Sequence, residues 1–448
     1  MTNHVMQSFS EHIQQVKAAV DPLLERYHYE ALMVHSGAPV FRFMDDLEYP
    51  FKVNPHFNWW VPTAVPNSVV LYRPGEKPHL FYFQPVDYWH LPPAPPDEAW
   101  ANEFNITLIR KGDEWREHVV DAANLAVLGN APRLAVHFTQ AAINPTALIH
   151  EIDLCRIRKT EYEKRCLVEA NIRAARGHNA AASAYAAGAS EFETHLAYLQ
   201  ATSHSEQQLP YGNIIAQNEH GGVLHYHGLD RTPPAQRHSF LIDAGAEFQG
   251  YAADITRTYT PDTDGVFCDL LAAMETAQLD LVDGVRAGAS YVDLHLKAHR
   301  VISRILRDAD IVRMNPDDMV DQRVSNAFYP HGLGHYLGLQ VHDVGGHLSD
   351  EVGNKIERPE GHPYLRLTRS LAVDSVVTIE PGLYFIPQLL EPLKARPEVN
   401  SAINWSLVES LQPYGGIRIE DDVLVLAEGA PRNFSREAFS QLAQAQAA

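Results

Sequence analysis

Cysteine is scarce in this chain, which has only Cys155, Cys166 and Cys268 among its 448 residues. Their number is odd, and no two of them have the Cys-x-x-Cys spacing. A disulfide framework and a thiolate metal site are therefore not indicated. We expect three reduced cysteines that serve as packing residues.

Long apolar runs are also missing, since no segment approaches the roughly 18 residues that a membrane span needs. The first residues, MTNHVMQSFSEHIQQV, do not combine a basic stretch with a following apolar stretch. Such a combination would be typical of a secretory signal peptide. We therefore predict a cytoplasmic protein with no membrane partner.

Positive charge is the third deficit. Lys and Arg number 36 against 56 Asp and Glu, which gives a formal net charge of −20. Phosphate binding depends on clustered Lys and Arg, so nucleic acid and anionic membrane surfaces are not expected partners. Part of the acidity belongs to the metal site inferred below.

The chain is long enough for two or three domains, and its 45% hydrophobic content is typical of a globular protein. Up to about residue 157, short apolar runs alternate with helical patterns, which indicates an α/β arrangement. Beyond it, Thr160 with Glu163 and Ser190 with Glu193 have capping-box spacing, each at the start of a predicted helix. The sequence predicts a mixed α/β (α+β) protein with domains at 1–157 and 158–448.

Acidic residues lie within apolar runs in the second half of the chain. Asp243 and Asp254 stand in SFLIDAGAEF and GYAADITRTY, Glu380 in VVTIEPGLYF and Glu420 in GIRIEDD, while His335 ends the motif HGLGH. Ionised carboxylates are costly to bury unless a positive charge compensates them, and several together repel one another. The pattern therefore predicts a buried pocket for two divalent metal ions, with the two aspartates on antiparallel strands.

Simpler interpretations exist for each residue taken alone. A lone Asp in a strand more often bonds backbone, a lone His is more often structural, and Arg257 could pair with Asp254 if both pointed the same way. The two glycines of HGLGH argue against a zinc-binding helix and favour a turn. Asp421 and Asp422 are expected to be solvated turn residues.

The proposed donor set has four carboxylates and one imidazole, which favours Mn, Co, Fe or Mg over a thiolate-type structural zinc. Mn²⁺ is our first expectation, with Co²⁺, Fe²⁺, Mg²⁺ and Zn²⁺ left open.

The order Asp, Asp, HGLGH, IEPG and RIED resembles the pita-bread metallopeptidase family, which includes methionine aminopeptidases, aminopeptidase P and prolidases. Longer segments, such as PYGNIIAQNEHGGVLHYH and DDLEYPFKVNPHFNWW, are similar to bacterial Xaa-Pro dipeptidases and to the related organophosphorus acid anhydrolases. The resemblance extends over nearly the whole chain. It implies a creatinase-like N-terminal α/β domain followed by a pita-bread catalytic domain.

The resemblance also implies residue roles. The implied metal ligands are Asp243, Asp254, His335, Glu380 and Glu420, with Asp254 and Glu420 bridging two ions. Glu380 is further implied as the acid-base group for a metal-bridged hydroxide, and His331 and His342 as catalytic imidazoles. The implied substrate-binding residues are His225, Arg366, Arg418, Tyr211 and Asp45 or its neighbour Asp46.

The implied activity is hydrolysis of Xaa-Pro dipeptides with a C-terminal proline, by a homodimer whose Asp45 loop reaches the other subunit's site. Arg366 would bind the C-terminal carboxylate of the substrate. One alternative is an organophosphorus acid anhydrolase that acts on phosphotriesters at the same site. Another is a metal-free binding protein with the same fold, which the complete ligand set argues against.

Overall fold

A computed structural model describes residues 2–96, 98–350 and 352–447. The chain forms two compact units, each considered separately below. The first unit comprises Met1–Cys166, Gln249–Tyr251 and Leu348–Lys355, and the second comprises Leu167–Phe248, Ala252–His347 and Ile356–Ala448. The predicted domain boundary after residue 157 stays a prediction.

The first unit is built on a mixed sheet. Its elements are α1 (Thr2–Met6), α2 (Phe9–Arg26), β1 (Ala31–His35), α3 (Pro55–Asn58), β2 (Val69–Tyr72), β3 (His79–Phe83), α4 (Glu98–Ala101), β4 (Asn105–Ile109), β5 (Leu125–Leu128), α5 (Ala131–Leu134), β6 (Ala142–Ile143) and α6 (Thr146–Arg156). The strand order is β4-β3-β2-β1-β5-β6, with β2 antiparallel to both of its neighbours. Val69, Phe81, Trp115 and Val127 are part of a buried apolar cluster in this unit.

The remaining elements belong mainly to the second unit. They are α7 (Glu161–Ala186), α8 (Glu191–Thr202), β7 (Ile214–Gln217), β8 (Phe240–Asp243), β9 (Glu247–Phe248), β10 (Tyr251–Ala252), β11 (Thr256–Tyr259), α9 (Val266–Val282), α10 (Tyr291–Asp308), α11 (Pro316–Asp321), α12 (Ser325–Phe328), β12 (Val376–Ile379), β13 (Gly382–Tyr384), α13 (Pro387–Leu390), α14 (Pro397–Ala402), α15 (Trp405–Leu411), β14 (Gly416–Arg418), β15 (Asp421–Leu424), β16 (Arg432–Asn433) and α16 (Phe434–Ala447). The predicted mixed α/β class is confirmed.

Both predicted capping boxes are confirmed. The backbone N–H of Thr160 donates to Glu163 Oε2 at 2.8 Å, and that of Glu163 donates to Thr160 Oγ1 at 3.4 Å. The Ser190 and Glu193 pair makes the same reciprocal bonds at the start of α8. Each box satisfies backbone donors that the first helical turn leaves open, so these helix starts are encoded within four residues.

Short antiparallel strands position the acidic residues of the second unit. One sheet has the order β11-β8-β7, a second β12-β15-β16, and a third pairs β13 with β14. Thr256 on β11 lies opposite Asp243 on β8 and also forms a bridge with Glu420. The strand register therefore aligns Asp243, Thr256 and Glu420 across neighbouring strands.

None of the helices in the described part of the chain combines the length and apolar character that a membrane crossing requires.

Candidate metal centre

The two aspartates approach each other because β8 and β11 are antiparallel, as predicted. Asp243 is the last residue of β8, and Asp254 lies two residues before β11. The backbone N–H of Asp254 donates to Asp422 Oδ2 at 3.1 Å, and the Thr256 hydroxyl donates to Glu420 Oε2 at 2.7 Å. These bonds tie residues 254–256 to residues 420–422 and hold the Glu420 and Asp422 carboxylates in place.

Glu380 follows the last residue of β12, where Pro381 ends the strand as the sequence predicted. The segment HGLGH runs beside this strand end and lies outside the helices, which agrees with the prediction that it is not a zinc-binding helix. A Cβ at Gly334, whose φ is +151°, would lie 2.3 Å from the carbonyl oxygen of Thr378. Glycine is therefore required for His335 to pass so close to the strand.

The His335 imidazole faces the acids with its Nε2 atom. Its Nδ1 lies 2.9 Å from the carbonyl oxygen of Tyr336, so Nδ1 carries the proton and donates it there. Nε2 lies 3.4 Å from Asp254 Oδ2 and 3.7 Å from Glu380 Oε1. One donor atom each from Asp254, His335 and Glu420 lies within 4.8 Å of the others. A carbonyl-anchored imidazole of this kind is typical of metal ligation.

The acids carry more negative charge than the surrounding chain compensates. Burial raises the pKa of Glu380 to about 7, with further raising by the charges of Asp254 and Asp243. Burial likewise holds the pKa of Glu420 well above its usual range and raises that of Asp243. At Asp254 burial is outweighed by the hydrogen bond and charge of His335, so its pKa is lowered. An oxygen-rich donor set that lacks positive charge fits divalent cations.

Arg418 is the cation buried among these acids, with 4% of its surface exposed. Its Nη2 donates to Asp243 Oδ2 at 2.6 Å, and its Nη1 donates to the Tyr384 hydroxyl oxygen at 2.7 Å. The guanidinium is therefore occupied by a site carboxylate and a tyrosine.

His331 is partly buried beside Glu380, with its Nδ1 3.7 Å from Glu380 Oε2. Nδ1 lies 2.8 Å from the Gly332 carbonyl oxygen and must carry the proton, so Nε2 accepts from the Tyr384 hydroxyl at 2.8 Å. Burial and the charge of Arg418 lower the pKa of His331 to about 3. Sequence reasoning missed Tyr384, although it lies within the motif EPGLY on β13, the strand paired with that of Arg418.

Tyr211 lies between the two aspartates. Its hydroxyl oxygen is 2.9 Å from Asp243 Oδ1 and 2.5 Å from Asp254 Oδ1. The structure thus brings Tyr211 to the acid cluster, while its expected role in a substrate pocket stays a prediction.

His342, His225 and Arg366 are placed around the same centre. The His342 ring lies 4.4 Å from the His335 ring and perpendicular to it. Burial lowers the pKa of His342 to about 4, with contributions from the charges of His335, Arg366 and His225. Both Arg366 and His225 are exposed, so they belong to the rim of the site.

Asp45 lies in the first unit, on an exposed turn where its Oδ1 accepts from the backbone N–H of Leu47 at 3.1 Å. Asp46 is exposed as well. Their assignment to a site on another subunit stays a prediction.

The expectation that Asp421 and Asp422 are solvated turn residues is wrong. Both are fully buried in β15, because the chain continues as a strand after Glu420. Asp421 Oδ1 pairs with Arg257 Nη2 at 2.6 Å, and Asp421 Oδ2 pairs with Arg436 Nε at 2.7 Å. Arg257 therefore compensates Asp421 and not Asp254.

A cavity of about 520 Å³ lies in the first unit, lined by residues that include Gly37, Lys52 and Asn130. It contains none of the predicted site residues. We assign the chemistry to the acid cluster because the titratable groups with strong mutual interactions lie there.

Comparison with known protein families gives two matches. The profile described as Xaa-Pro dipeptidase, N-terminal domain, matches residues 7–154, and the profile of metallopeptidase family M24 matches residues 165–427. An Xaa-Pro dipeptidase from Pseudoalteromonas translucida is 44% identical over 93% of this chain and 95% of its own length. One from Shewanella woodyi is 44% identical over 96% of this chain and 97% of its own length.

The chain also resembles solved structures. Aminopeptidase P from E. coli with the inhibitor Pro-Leu has a TM-score of 0.70 and 21% identity, covering 97% of this chain and 99% of that one. A zinc-substituted form of the same enzyme, in complex with product, matches with the same TM-score and identity. This likeness confirms the predicted fold, with an N-terminal domain followed by a pita-bread domain.

Proposed function

The chain belongs to metallopeptidase family M24, and from that premise we propose that it is a metal-dependent dipeptidase that cleaves Xaa-Pro dipeptides. The observation that carries the proposal is the convergence of four carboxylates and one imidazole, with Asp254, Glu420 and His335 buried, around too little positive charge. The relatives named Xaa-Pro dipeptidases, 44% identical over nearly the whole chain, support the substrate class.

Family membership and the cluster of acids with His335 indicate divalent metal binding. We propose two Mn²⁺ ions, held by Asp243, Asp254, His335, Glu380 and Glu420, with Asp254 and Glu420 shared between them. When bound, such ions lower the pKa of water and polarise the scissile carbonyl. Co²⁺, Fe²⁺, Mg²⁺ and Zn²⁺ are the alternatives that elemental analysis of the purified protein would distinguish.

Glu380 is proposed to move the proton. Its side chain is 18% exposed, more than the 7% of Asp254, so a substrate can reach it. The carboxylate can accept a proton from the attacking water and deliver it to the proline nitrogen, which leaves as a secondary amine. His331, held neutral, is proposed to contact the substrate together with His342 and His225.

Arg366 is proposed to bind the C-terminal carboxylate of the dipeptide. No carboxylate among the described residues pairs with its guanidinium, and its charge acts on His342 at the rim of the site. Arg418, by contrast, is already bonded to Asp243. A free guanidinium can hold a carboxylate through two parallel hydrogen bonds, which fits a site that measures chain length.

The substrate proposal is tested by kcat/KM for Leu-Pro and Ala-Pro against Xaa-Pro tripeptides with the same first residue. We expect dipeptides to be turned over faster, because only they place a carboxylate at Arg366. Equal or better turnover of the tripeptides would contradict the dipeptidase proposal. Arg366→Ala should raise KM for the dipeptide about 10- to 100-fold, since a charged hydrogen bond contributes about 1.5–3 kcal/mol. Arg366→Lys serves as the matched variant that keeps the charge.

The two alternatives have less support. A neutral phosphotriester has no carboxylate for Arg366, so an organophosphorus acid anhydrolase does not explain a guanidinium that no described carboxylate pairs with. A metal-free binding protein does not explain the acids that converge without compensation. Neither alternative is favoured by the relatives, which are named dipeptidases.

We propose a homodimer in which the first unit supplies the contact surface. Its loops expose large apolar side chains, among them Phe43 at 89%, Met44 at 91% and Leu91 at 95%. Phe43 and Met44 are adjacent in the sequence, and exposed apolar patches are typical of interaction surfaces. Light scattering should give a dimer for the wild type and a monomer for Phe43→Ser with Met44→Ser. Loss of activity in Asp45→Ala without loss of the dimer would support its proposed contact with substrate. The cytoplasmic location stays a prediction.

A further inference from the structure

Three histidines meet away from the five proposed ligands. His295 and His299 are one turn apart on α10, so their side chains share a helix face, and each is 1% exposed. His362 lies in a later segment of the same chain, and its Nδ1 is 2.9 Å from His295 Nε2. One ring nitrogen from each of the three lies within 4.8 Å of the others. We refer to these residues as the histidine cluster.

The histidine cluster lines a small cavity rich in polar atoms that lack partners. No described residue forms a hydrogen bond with His299 Nε2, Asn326 Oδ1 or Tyr329 Oη, nor with His295 Nδ1, the ring nitrogen that is not bonded to His362. All four residues line the same cavity, of about 10 Å³, which is enough for a single water-sized species. Because a buried polar atom without a partner costs about 1–3 kcal/mol, such a concentration indicates a polar or charged occupant.

The imidazoles are in the form that binds metal. Burial lowers the pKa of His295 to about 3 and holds that of His299 well below its usual value, with neighbouring histidines adding to both effects. Burial also lowers the pKa of His362. Neutral imidazoles keep a lone pair for a metal ion, and a set of nitrogen donors suits zinc better than manganese or magnesium.

We propose that His295, His299 and His362 form an additional zinc site, distinct from the acid cluster. Three imidazoles leave a fourth position open, as in zinc sites that keep a water or another ligand. Zinc–nitrogen distances of about 2.0–2.1 Å separate tetrahedral ligand atoms by about 3.4 Å. The distance of 2.9 Å between His295 Nε2 and His362 Nδ1 therefore has to widen by only about 0.5 Å for both atoms to bind one zinc ion.

The site would tie α10 to the segment that leads into Arg366. His362 precedes Arg366 by four residues, and the cavity wall includes His331. The Tyr329 ring lies 4.7 Å from His299 and 4.9 Å from His331, so it contacts both the histidine cluster and the imidazole that is proposed to contact substrate. A bound ion would thus act as a structural support beside the proposed active site.

Zinc stoichiometry tests the proposal. Wild type, His362→Ala and the control His90→Ala are stripped with chelator, reloaded with Zn²⁺, passed through gel filtration and analysed for zinc per chain. His90 is exposed in the first unit, so its variant removes an imidazole outside the cluster. We expect one zinc ion fewer in His362→Ala and no change in His90→Ala. Equal zinc content in all three proteins would overturn the proposal and identify the cluster as hydrogen-bonded structural histidines.

A second background separates this site from the proposed catalytic ions. With Glu420→Gln also present, His362→Ala should still remove one zinc ion, and zinc should raise the Tm more when His362 is intact than when it is replaced. If His362→Ala does not lower the zinc content in the Glu420→Gln background, the histidine cluster is not an independent zinc site. That result would leave the dipeptidase proposal unchanged. If His362→Ala does not fold, anomalous diffraction from wild-type crystals at the zinc edge decides. A peak within bonding distance of all three nitrogens supports the proposal, and no peak there overturns it.

Discussion

Glu420 and Asp421 are consecutive, both are buried, and their surroundings are opposite. Asp421 is paired with Arg257 and Arg436, whose charges outweigh burial and lower its pKa to about 2. Glu420 receives a hydrogen bond from the Thr256 hydroxyl, but it faces other acids, and its pKa is held well above the usual range. Because side chains alternate along an extended chain, neighbouring residues can belong to different clusters.

The difference distinguishes a structural charge from a functional one. At Asp421 the chain supplies the compensating cations itself, so the cluster is complete on folding. At Glu420 the chain supplies more acids than cations, so compensation must come from bound ions. Burial alone would not separate the two residues, whereas the balance of charge around each one does.

The largest expected effect is on activity in Glu420→Gln. We expect kcat/KM for Leu-Pro to fall by about 1,000-fold or more, because several kcal/mol of transition-state stabilisation depends on the ions. The Tm in chelator should stay the same or rise, since one of the mutually repelling acids is removed. Activity within about tenfold of wild type, measured with added Mn²⁺, would contradict the assignment.

Asp421→Asn should mainly reduce stability. Removing one partner from a buried charge pair costs about 3–5 kcal/mol, since Arg257 and Arg436 would stay buried without compensation. Urea unfolding of the variant measures this loss. The exposed pair of Arg432 and Glu437 provides the control, where Glu437→Gln should change the free energy of unfolding by less than about 1 kcal/mol. An equal loss of unfolding free energy in Asp421→Asn and Glu437→Gln would contradict the role of Asp421 as a buried structural charge.

Added metal should stabilise only proteins that keep the acid cluster. At 100 times its dissociation constant, an ion that binds the folded state alone adds about 2.7 kcal/mol per site. We expect this gain with Mn²⁺ in the wild type and in Asp421→Asn, and a reduced gain in Glu420→Gln. The measurement is the free energy of unfolding with and without Mn²⁺. A full gain in Glu420→Gln would contradict its role as a ligand.

The pH dependence of the metal-free protein should have opposite signs at the two clusters. Glu380 has a folded pKa of about 7 against an ordinary 4.5, so the folded state binds more protons and stability falls as pH rises from 4.5 to 7. Asp421 has a folded pKa of about 2 against 3.8, so stability falls as pH drops from 3.8 towards 2. Urea unfolding in chelator measures both limbs. Glu380→Gln should remove the fall in the free energy of unfolding between pH 4.5 and 7 and leave the fall at acidic pH unchanged. An unchanged fall between pH 4.5 and 7 would contradict the prediction.

Local signals made part of the fold predictable. The capping boxes at Thr160 and Ser190 involve residues three apart, and Pro381 ends β12 directly after Glu380. The antiparallel strands around the two aspartates were predicted from the neighbouring apolar runs that carry them. These features depend on residues that are close in the sequence, so the spacing of residue types predicts them.

Features that depend on distant partners were not predictable. Asp421 is buried because Arg257, 164 residues earlier, and Arg436, 15 residues later, converge on it. His295 and His362 meet across 67 residues. No spacing within one segment encodes such pairs, because they depend on how strands and helices pack. Tyr384 was missed for the same reason, since its value lies in bonds to His331 and Arg418.

We infer that bound ions compensate the acids around Glu420, whereas Arg257 and Arg436 of the chain itself compensate Asp421. Anomalous diffraction at the manganese edge, from crystals grown with Mn²⁺, tests it most directly. We predict two peaks among Asp243, Asp254, His335, Glu380 and Glu420, and no peak at Asp421. The absence of any peak among the five side chains in a protein that cleaves Leu-Pro would contradict the account.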